Sequence, residues 1–173
     1  MLKRVISVIA LFDDEGDKKI RDIQNIMQQS PSWLNDLLHL TLAVYDKPLD
    51  EGELINWIVN VSERHKAFNL DLVSIGVFHK SCIFAMPRLA KEMYQLYMNI
   101  HDRFEDQCRD YLKPSENKWF PHVGLLYTDI ENACNKLPVL IQKFEETRVR
   151  VNRLRITIRE EEHFRILYEV SLN

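Results

Sequence analysis

The sequence contains LHLTL at residues 38–42 and PHVGL at residues 121–125. Each stretch places one histidine within a run of apolar residues that is typical of a β-strand. Because side chains alternate along a strand, His39 and Thr41 are expected to project from one face, and the leucines between them from the other. His122 and Gly124 share a face by the same rule. The two stretches therefore predict two strands that each present a histidine on a polar face.

Both stretches lie within the same predicted order of elements, so the chain looks duplicated. After a first strand at residues 4–12, periodicity predicts a helix at 17–29, a strand at 37–45, a helix at 50–66 and hairpin strands at 68–79 and 81–86. The order then repeats, with a helix at 87–112, a strand at 119–127, a helix at 129–146 and strands at 149–159 and 164–172. A change of parity near residues 152 and 153 predicts a β-bulge. His39 and His122, 83 residues apart, occupy equivalent places in the two halves.

This order predicts an α+β fold in one domain spanning residues 1–173, with repeat halves at about 1–86 and 87–173. We expect two similar lobes of antiparallel sheet, with helices packed outside, facing each other across a central groove. The polar faces that carry the two histidines would then meet around this groove. A chain of this length buries a core without needing disulfides or metal.

Composition narrows the possible partners. The chain is 46% hydrophobic and 28% charged, with a net charge of −3. Proteins that live on long nucleic acid usually carry a basic excess, so no long-duplex partner is expected, whereas a small nucleotide or RNA end needs only a local positive site. The apolar run at residues 5–12 ends in acidic residues and not in a cleavage site, and no stretch is long enough to span a membrane. We expect a cytoplasmic monomer.

The motifs resemble those of a known superfamily. Leu-His-Leu-Thr-Leu in the first half and Trp-Phe-Pro-His-Val-Gly-Leu-Leu at residues 119–126 resemble the paired H-x-[ST] motifs of the two-histidine phosphoesterases, which include 2′,5′ RNA ligase-like and cyclic phosphodiesterase proteins. The order of elements agrees along nearly the whole chain. The resemblance implies hydrolysis or ligation at the 2′,3′-cyclic phosphate or 2′,5′-phosphodiester of an RNA end or small nucleotide, with no metal and no cofactor.

The resemblance also implies roles for three residues. Histidine titrates near neutrality, so one of His39 and His122 would remove a proton from water while the other delivers one to the departing ribose oxygen. The Thr41 hydroxyl would donate a hydrogen bond to a phosphate oxygen. The second motif departs from the family pattern, because Gly124 stands where a Ser or Thr is expected. A backbone N–H or a water beside Gly124 could take over that contact.

Three further residues are candidates for contact with the substrate, and two of them have an alternative interpretation. Tyr45 either stacks on a base at the groove or packs at the lobe interface. Arg155 either binds phosphate or belongs to a solvated face balanced by nearby glutamates. Phe78 ends a strand that borders the groove. The remaining histidines have no repeat partner and are expected to be structural: His65, His79, His101 and His163. No spacing of residues in the sequence predicts a set of metal ligands.

Two other functions compete with the enzyme. The absent hydroxyl at Gly124 favours a catalytically weak or inactive protein of the same fold that binds nucleotides or RNA ends. The histidine strands could also be structural, in which case the chain would be an interaction module.

Overall fold

The computed structural model describes residues 4–27, 37–78, 82–160 and 163–173. Within these ranges lie four helices, α1 (Asp14–Ile26), α2 (Glu51–Arg64), α3 (Lys91–Phe104) and α4 (Ile130–Lys143), and seven strands. The strands are β1 (Arg4–Phe12), β2 (Leu40–Tyr45), β3 (Phe68–Phe78), β4 (Cys82–Pro87), β5 (Val123–Tyr127), β6 (Thr147–Glu160) and β7 (His163–Ser171). The order helix, strand, helix, strand, strand occurs twice, as predicted.

The strands form one antiparallel sheet system in the order β1-β2-β5-β4-β3-β6-β7, and β1 also pairs with β6. The long strand β6 links the two halves, because its first residues, Thr147–Val151, pair with β3 and its later residues lie between β1 and β7. On the opposite side β2 and β5 pair at Leu40 and Val123. Strands β2, β1, β6 and β7 thus form one lobe, and β5, β4 and β3 form the other. The predicted α+β fold is confirmed.

The hydrophobic core lies between the helices and one face of the strands. Helices contribute Ile20, Leu54, Ile58, Leu96 and Leu140, all fully buried. An aspartate precedes each of α1, α2 and α4, and its carboxylate accepts a hydrogen bond from a backbone N–H of the first turn, which stabilises the start of the helix. These aspartates are Asp13, Asp50 and Asp129. These three helices therefore begin at defined residues, and their buried apolar residues hold them against the sheet.

The predicted helix at 87–112 is too long. Pro87 belongs to β4, where it pairs with Leu72, and the helix ends at Phe104. Beyond it the chain returns to the sheet, because Cys108 forms a bridge with Tyr45 and the Arg109 N–H donates to the Val44 carbonyl at 2.8 Å. The apolar stripe continues through this segment in short 3₁₀ turns, which explains why periodicity alone extended the helix.

Both histidine strands begin one residue later than their histidines. β2 starts at Leu40 and β5 at Val123, so His39 and His122 lie at equivalent positions directly before a strand. The predicted bulge near residue 152 is confirmed, since Leu11 pairs with Arg153 and Phe12 pairs with Val151. None of the four helices in the described residues is both long and apolar enough to cross a bilayer.

Candidate active site

The two histidines are held by the same local hydrogen bond. His39 Nδ1 lies 2.7 Å from the carbonyl oxygen of Leu37, and His122 Nδ1 lies 2.9 Å from that of Phe120. A carbonyl oxygen can only accept, so Nδ1 carries the hydrogen in both rings. Each neutral imidazole therefore keeps Nε2 as its basic nitrogen. The two halves of the chain therefore position their histidines by the same hydrogen bond, from Nδ1 to the carbonyl two residues earlier.

The pairing of β2 with β5 brings the two motifs side by side. Leu40 lies opposite Val123 in antiparallel register. Extending that register by one residue in each direction sets Thr41 beside His122 and Gly124 beside His39. Residues so opposed have Cβ atoms about 4.5–5.5 Å apart. The motifs are thus crossed, with each histidine next to the second position of the other motif.

Arg155 joins this face from β6. In the strand register Thr41 lies opposite Ile9, Ile9 opposite Arg155, and Arg155 opposite Glu169. Arg155 Nε donates to Glu169 Oε2 at 2.6 Å, and Arg153 Nη1 lies 3.1 Å from the other oxygen of the same carboxylate. Arg155 therefore pairs with Glu169 on β7. Of the glutamates at 160–162 that the sequence suggested, residues 161 and 162 lie outside the described residues.

Both imidazoles favour the neutral form. Burial lowers the pKa of His39 below its usual 6.5; the Leu37 carbonyl opposes this shift, and the charges of His122 and Arg155 add to it. Burial likewise lowers the pKa of His122, and its hydrogen bond to the Phe120 carbonyl opposes that shift. The charges of His122 and Arg155 both act on the pKa of His39, so the three groups lie close enough to interact electrostatically.

His122 lies in aromatic surroundings. Its ring centroid is 4.7 Å from that of Phe78 and 5.4 Å from that of Phe84, both in edge-on geometry. Phe120 packs against the same two phenylalanines. The structure therefore places Phe78 against a predicted catalytic residue, while Phe84 and Phe120 were missed because nothing in the sequence marks their faces.

The segment before His122 is tied to the strand after His39. Trp119 Nε1 donates to the Thr41 carbonyl at 3.3 Å, and the indole stacks on Tyr97 with ring centroids 3.8 Å apart. A cleft of about 430 Å³ opens at Leu37 and Leu38, the residues before His39, and is lined also by Arg153, Arg155 and charged residues of α1 of both signs. Its size is in the range of small-molecule sites.

Tyr45 is not part of this site. The register shifts between Val8 and Ile9, so that Val8 pairs with Ala43 while Ile9 pairs with Thr41, and the extra residue, Leu42, forms a bulge. The bulge moves Tyr45 to the helix-facing side, where it is 1% exposed. The interpretation as a base-stacking residue is wrong, and Tyr45 packs in the core.

The other histidines lie elsewhere. His101 is buried and contacts the Tyr97 carbonyl, and His65 Nε2 lies 2.9 Å from Asn99 Nδ2. His163 is exposed at the start of β7, and His79 lies outside the described residues. Across the described ranges no three His, Cys, Asp or Glu side chains converge in a way that could hold a metal ion.

Comparison with solved structures identifies the fold. E. coli LigT complexed with 3′-AMP aligns with a TM-score of 0.62 at 16% identity, covering 100% of this chain and 99% of LigT. A crystal structure described as a phosphoesterase gives 0.64 at 15% identity with 99% of both chains covered. The protein TT0787 of Thermus thermophilus gives 0.61 at 15% identity with 97% of both covered. The fold is that of the LigT-like two-histidine phosphoesterases.

The family follows from the sequence itself. The model of the 2′-5′ RNA ligase superfamily matches residues 12–163. The chain therefore belongs to the 2′-5′ RNA ligase superfamily. No curated protein resembles the chain closely enough to count as a match.

Proposed function

We propose that the protein is a metal-independent phosphoesterase that opens a 2′,3′-cyclic phosphate, or cleaves a 2′,5′-phosphodiester, on a small nucleotide or RNA end. His39 and His122 act as general base and general acid. On the cyclic substrate, the base takes a proton from water while the water oxygen forms a bond to phosphorus. The bond between phosphorus and one ribose oxygen breaks, and the acid protonates that oxygen.

The observation that carries this proposal is the matched anchoring of the two imidazoles. Both donate Nδ1–H to the carbonyl two residues earlier, so both have Nε2 available for proton transfer. Thr41 is set beside His122 by the strand register, where its hydroxyl can donate to a phosphate oxygen whose charge grows in the transition state. Arg155 adds a positive charge close to His39.

Two further features support a nucleotide as substrate. The cleft at Leu37 and Leu38 is large enough for a nucleoside, and Arg153 and Arg155 line it together with charged residues of α1 of both signs. E. coli LigT, which has the same fold, has been crystallised with 3′-AMP. The negative overall charge of the chain disfavours a long RNA partner, whereas a mononucleotide needs only a local positive site.

The test is turnover of the four 2′,3′-cyclic nucleotides and of a 2′,5′-linked dinucleotide in the presence of EDTA, followed by chromatography. We expect product from the wild-type chain and at least a ~1000-fold loss in His39→Ala and in His122→Ala, as for other proton-transfer residues. His163→Ala is the matched control, because that histidine is exposed and far from the pair along the sheet. Turnover that survives His122→Ala would contradict the proposed mechanism.

A second candidate is a catalytically weak or inactive nucleotide-binding protein of the same fold, which Gly124 favours because it contributes no hydroxyl. The same panel separates the two functions. Binding of adenosine 2′- or 3′-monophosphate with no turnover of any substrate would favour the binding protein.

A further inference from the structure

The space beside Gly124 is filled by another residue. A Cβ atom built on Gly124 would lie 2.8 Å from Tyr127 Oη and 3.1 and 3.2 Å from two carbons of its ring. Real Cβ atoms essentially never approach another atom more closely than 3.0 Å, so a side chain at 124 and the present position of Tyr127 exclude each other. A phenol oxygen therefore stands where the family motif has its Ser or Thr.

A β-bulge puts Tyr127 on this face. Residues three apart in a regular strand point to opposite sides. Here Phe84 pairs with Gly124 and Cys82 pairs with Tyr127, with the register shifting between them. Phe84 and Cys82 share a face, so Gly124 and Tyr127 share one also, and the extra residue is Leu125.

The crossed register then brings this oxygen to the histidine pair. Gly124 lies beside His39 when the pairing of Leu40 with Val123 is extended by one residue. The same extended register puts the Tyr127 hydroxyl on the side of His39 and the Thr41 hydroxyl on the side of His122. Each histidine has one hydroxyl next to it, one from a threonine and one from a tyrosine that reaches in from further along the strand.

The phenol is suited to donating a hydrogen bond. Burial, with the nearby Cys82, raises the pKa of Tyr127 to about 12, so the hydroxyl keeps its proton at neutral pH. The side chain is 37% exposed, so a ligand can reach it. In the free protein the hydroxyl contacts the Cys82 thiol. Thiol sulfur is a weak acceptor, whereas an anionic phosphate oxygen is a strong one.

We propose that Tyr127 supplies the second phosphate-binding hydroxyl of the site and thereby replaces the side chain that Gly124 lacks. The inference rests on the proposed function, since it assigns a donor for the same phosphate. It accounts for the departure of the second motif from the family pattern by a change of which residue carries the hydroxyl.

The first test is Tyr127→Phe, which removes one oxygen and keeps the ring. With 2′,3′-cyclic AMP we expect kcat to fall by ~100-fold with little change in KM, the usual loss for one preorganised donor. Tyr94→Phe is the matched control, because Tyr94 is an exposed tyrosine on α3, and it should leave kcat unchanged. Wild-type kcat in Tyr127→Phe, beside inactive His39→Ala, would overturn the role of Tyr127 and leave the proposed function intact.

The second test moves the hydroxyl back. Tyr127→Ala clears the ring from Gly124 and should be as slow as Tyr127→Phe, and adding Gly124→Ser should restore at least ~10-fold of kcat. Gly124→Ser alone should lose activity, because the new Cβ meets the ring. If the double variant folds and its kcat does not recover, the hydroxyl of Tyr127 does not replace that of a residue at position 124.

The wild-type chain could turn over neither the cyclic nucleotides nor the 2′,5′-linked dinucleotide. That result would refute the proposed function by itself. The affinity for inorganic phosphate, measured by calorimetry, would then test Tyr127 alone. A ~10-fold weaker Kd in Tyr127→Phe supports the phosphate contact, and an unchanged Kd refutes it.

Discussion

Leu40 on β2 and Val123 on β5 lie opposite each other, and each directly follows one of the two histidines. Because the strands are antiparallel, this pair crosses the two motifs, so that Thr41 neighbours His122 and not the histidine of its own motif. A substrate phosphate between the strands would meet one proton-transfer group and one hydroxyl from each side. The site is therefore assembled from both halves of the chain, and neither half contains it alone.

In the proposed mechanism, Thr41 donates a hydrogen bond to the phosphate in the transition state. Thr41→Val keeps the shape of the side chain and removes the hydroxyl, so we expect kcat for 2′,3′-cyclic AMP to fall by ~100-fold with KM nearly unchanged. Thr41→Ser is the matched control and should retain most of the activity, because it retains the hydroxyl. Equal loss in both variants would indicate a packing role for Thr41.

The charge of Arg155 lowers the pKa of His39, and we expect the carboxylate of Glu169, which pairs with Arg155, to act in the opposite direction. Arg155 lowers that pKa, so Arg155→Gln should raise it. Glu169 pairs with Arg155 at 2.6 Å and offsets its charge, so Glu169→Gln should lower the pKa of His39 further. Titration of the His39 ring resonance by NMR measures both shifts. Shifts of the same sign in the two variants would contradict this arrangement.

Strand alternation predicted the motif face correctly where the strands are regular. His39, Thr41, His122 and Gly124 share one side, and Arg155 lies on that side, because no bulge separates the members of each set. Two bulges changed the parity beyond the motifs. The one at Leu42 turned Tyr45 into the core, and the one at Leu125 turned Tyr127 into the groove. The bulge at Leu42 has no sequence signal such as glycine, so the sequence could not reveal it. Gly124 directly precedes Leu125, and an isolated glycine within a strand often marks a bulge, so the second change had a signal in the sequence that the prediction did not use.

Contacts between strands that are distant in sequence could also not be predicted from the sequence. Glu169 was not recognised as the partner of Arg155, because the pairing depends on the register of β6 and β7, which includes its own shift between Ile156 and Thr157. Phe84 was not placed at the site for the same reason. Its position depends on pairing with both Gly76 and Gly124, and only the fold fixes those two registers.

The buried His101 should make the protein sensitive to acid independently of the active site. Burial lowers the pKa of His101 below 6.5, so below that pH the unfolded chain binds a proton that the folded chain does not. The free energy of unfolding should then decrease as pH falls from 6.5 towards the folded pKa, by up to about 1.4 kcal/mol per pH unit for this group. Urea unfolding at pH 7.5, 6.5 and 5.5 measures the slope.

His101→Gln provides the comparison for that slope. Glutamine cannot titrate, so the variant should lose less stability between pH 6.5 and 5.5 than the wild type, whatever its stability at pH 7.5. His163→Gln, at an exposed position, should keep the wild-type slope. If His101→Gln is as acid-sensitive as the wild type, other groups cause the loss.

Gly76 controls the position of the aromatic ring beside His122. A Cβ atom on Gly76 would lie 2.6 Å from Cε2 of Phe84, so Gly76→Ala must displace the ring. We expect a loss of about 1–3 kcal/mol in the free energy of unfolding, which is typical of overpacking. Activity should fall as well, because Phe84 and Phe78 both contact the His122 ring. Denaturant unfolding and kcat/KM for 2′,3′-cyclic AMP measure the two effects.

A compensating substitution separates the ring displacement from other effects of the methyl group. Phe84→Leu in the Gly76→Ala background shortens the side chain that the new Cβ meets, so part of the lost stability should return. The activity should not return fully, because His122 would still lack the aromatic edge of Phe84. Gly52→Ala, at the exposed start of α2, should change stability by less than ~1 kcal/mol, since alanine is the better helix former there. A Gly76→Ala variant as stable and active as the wild type would show that Phe84 moves without cost and does not position His122.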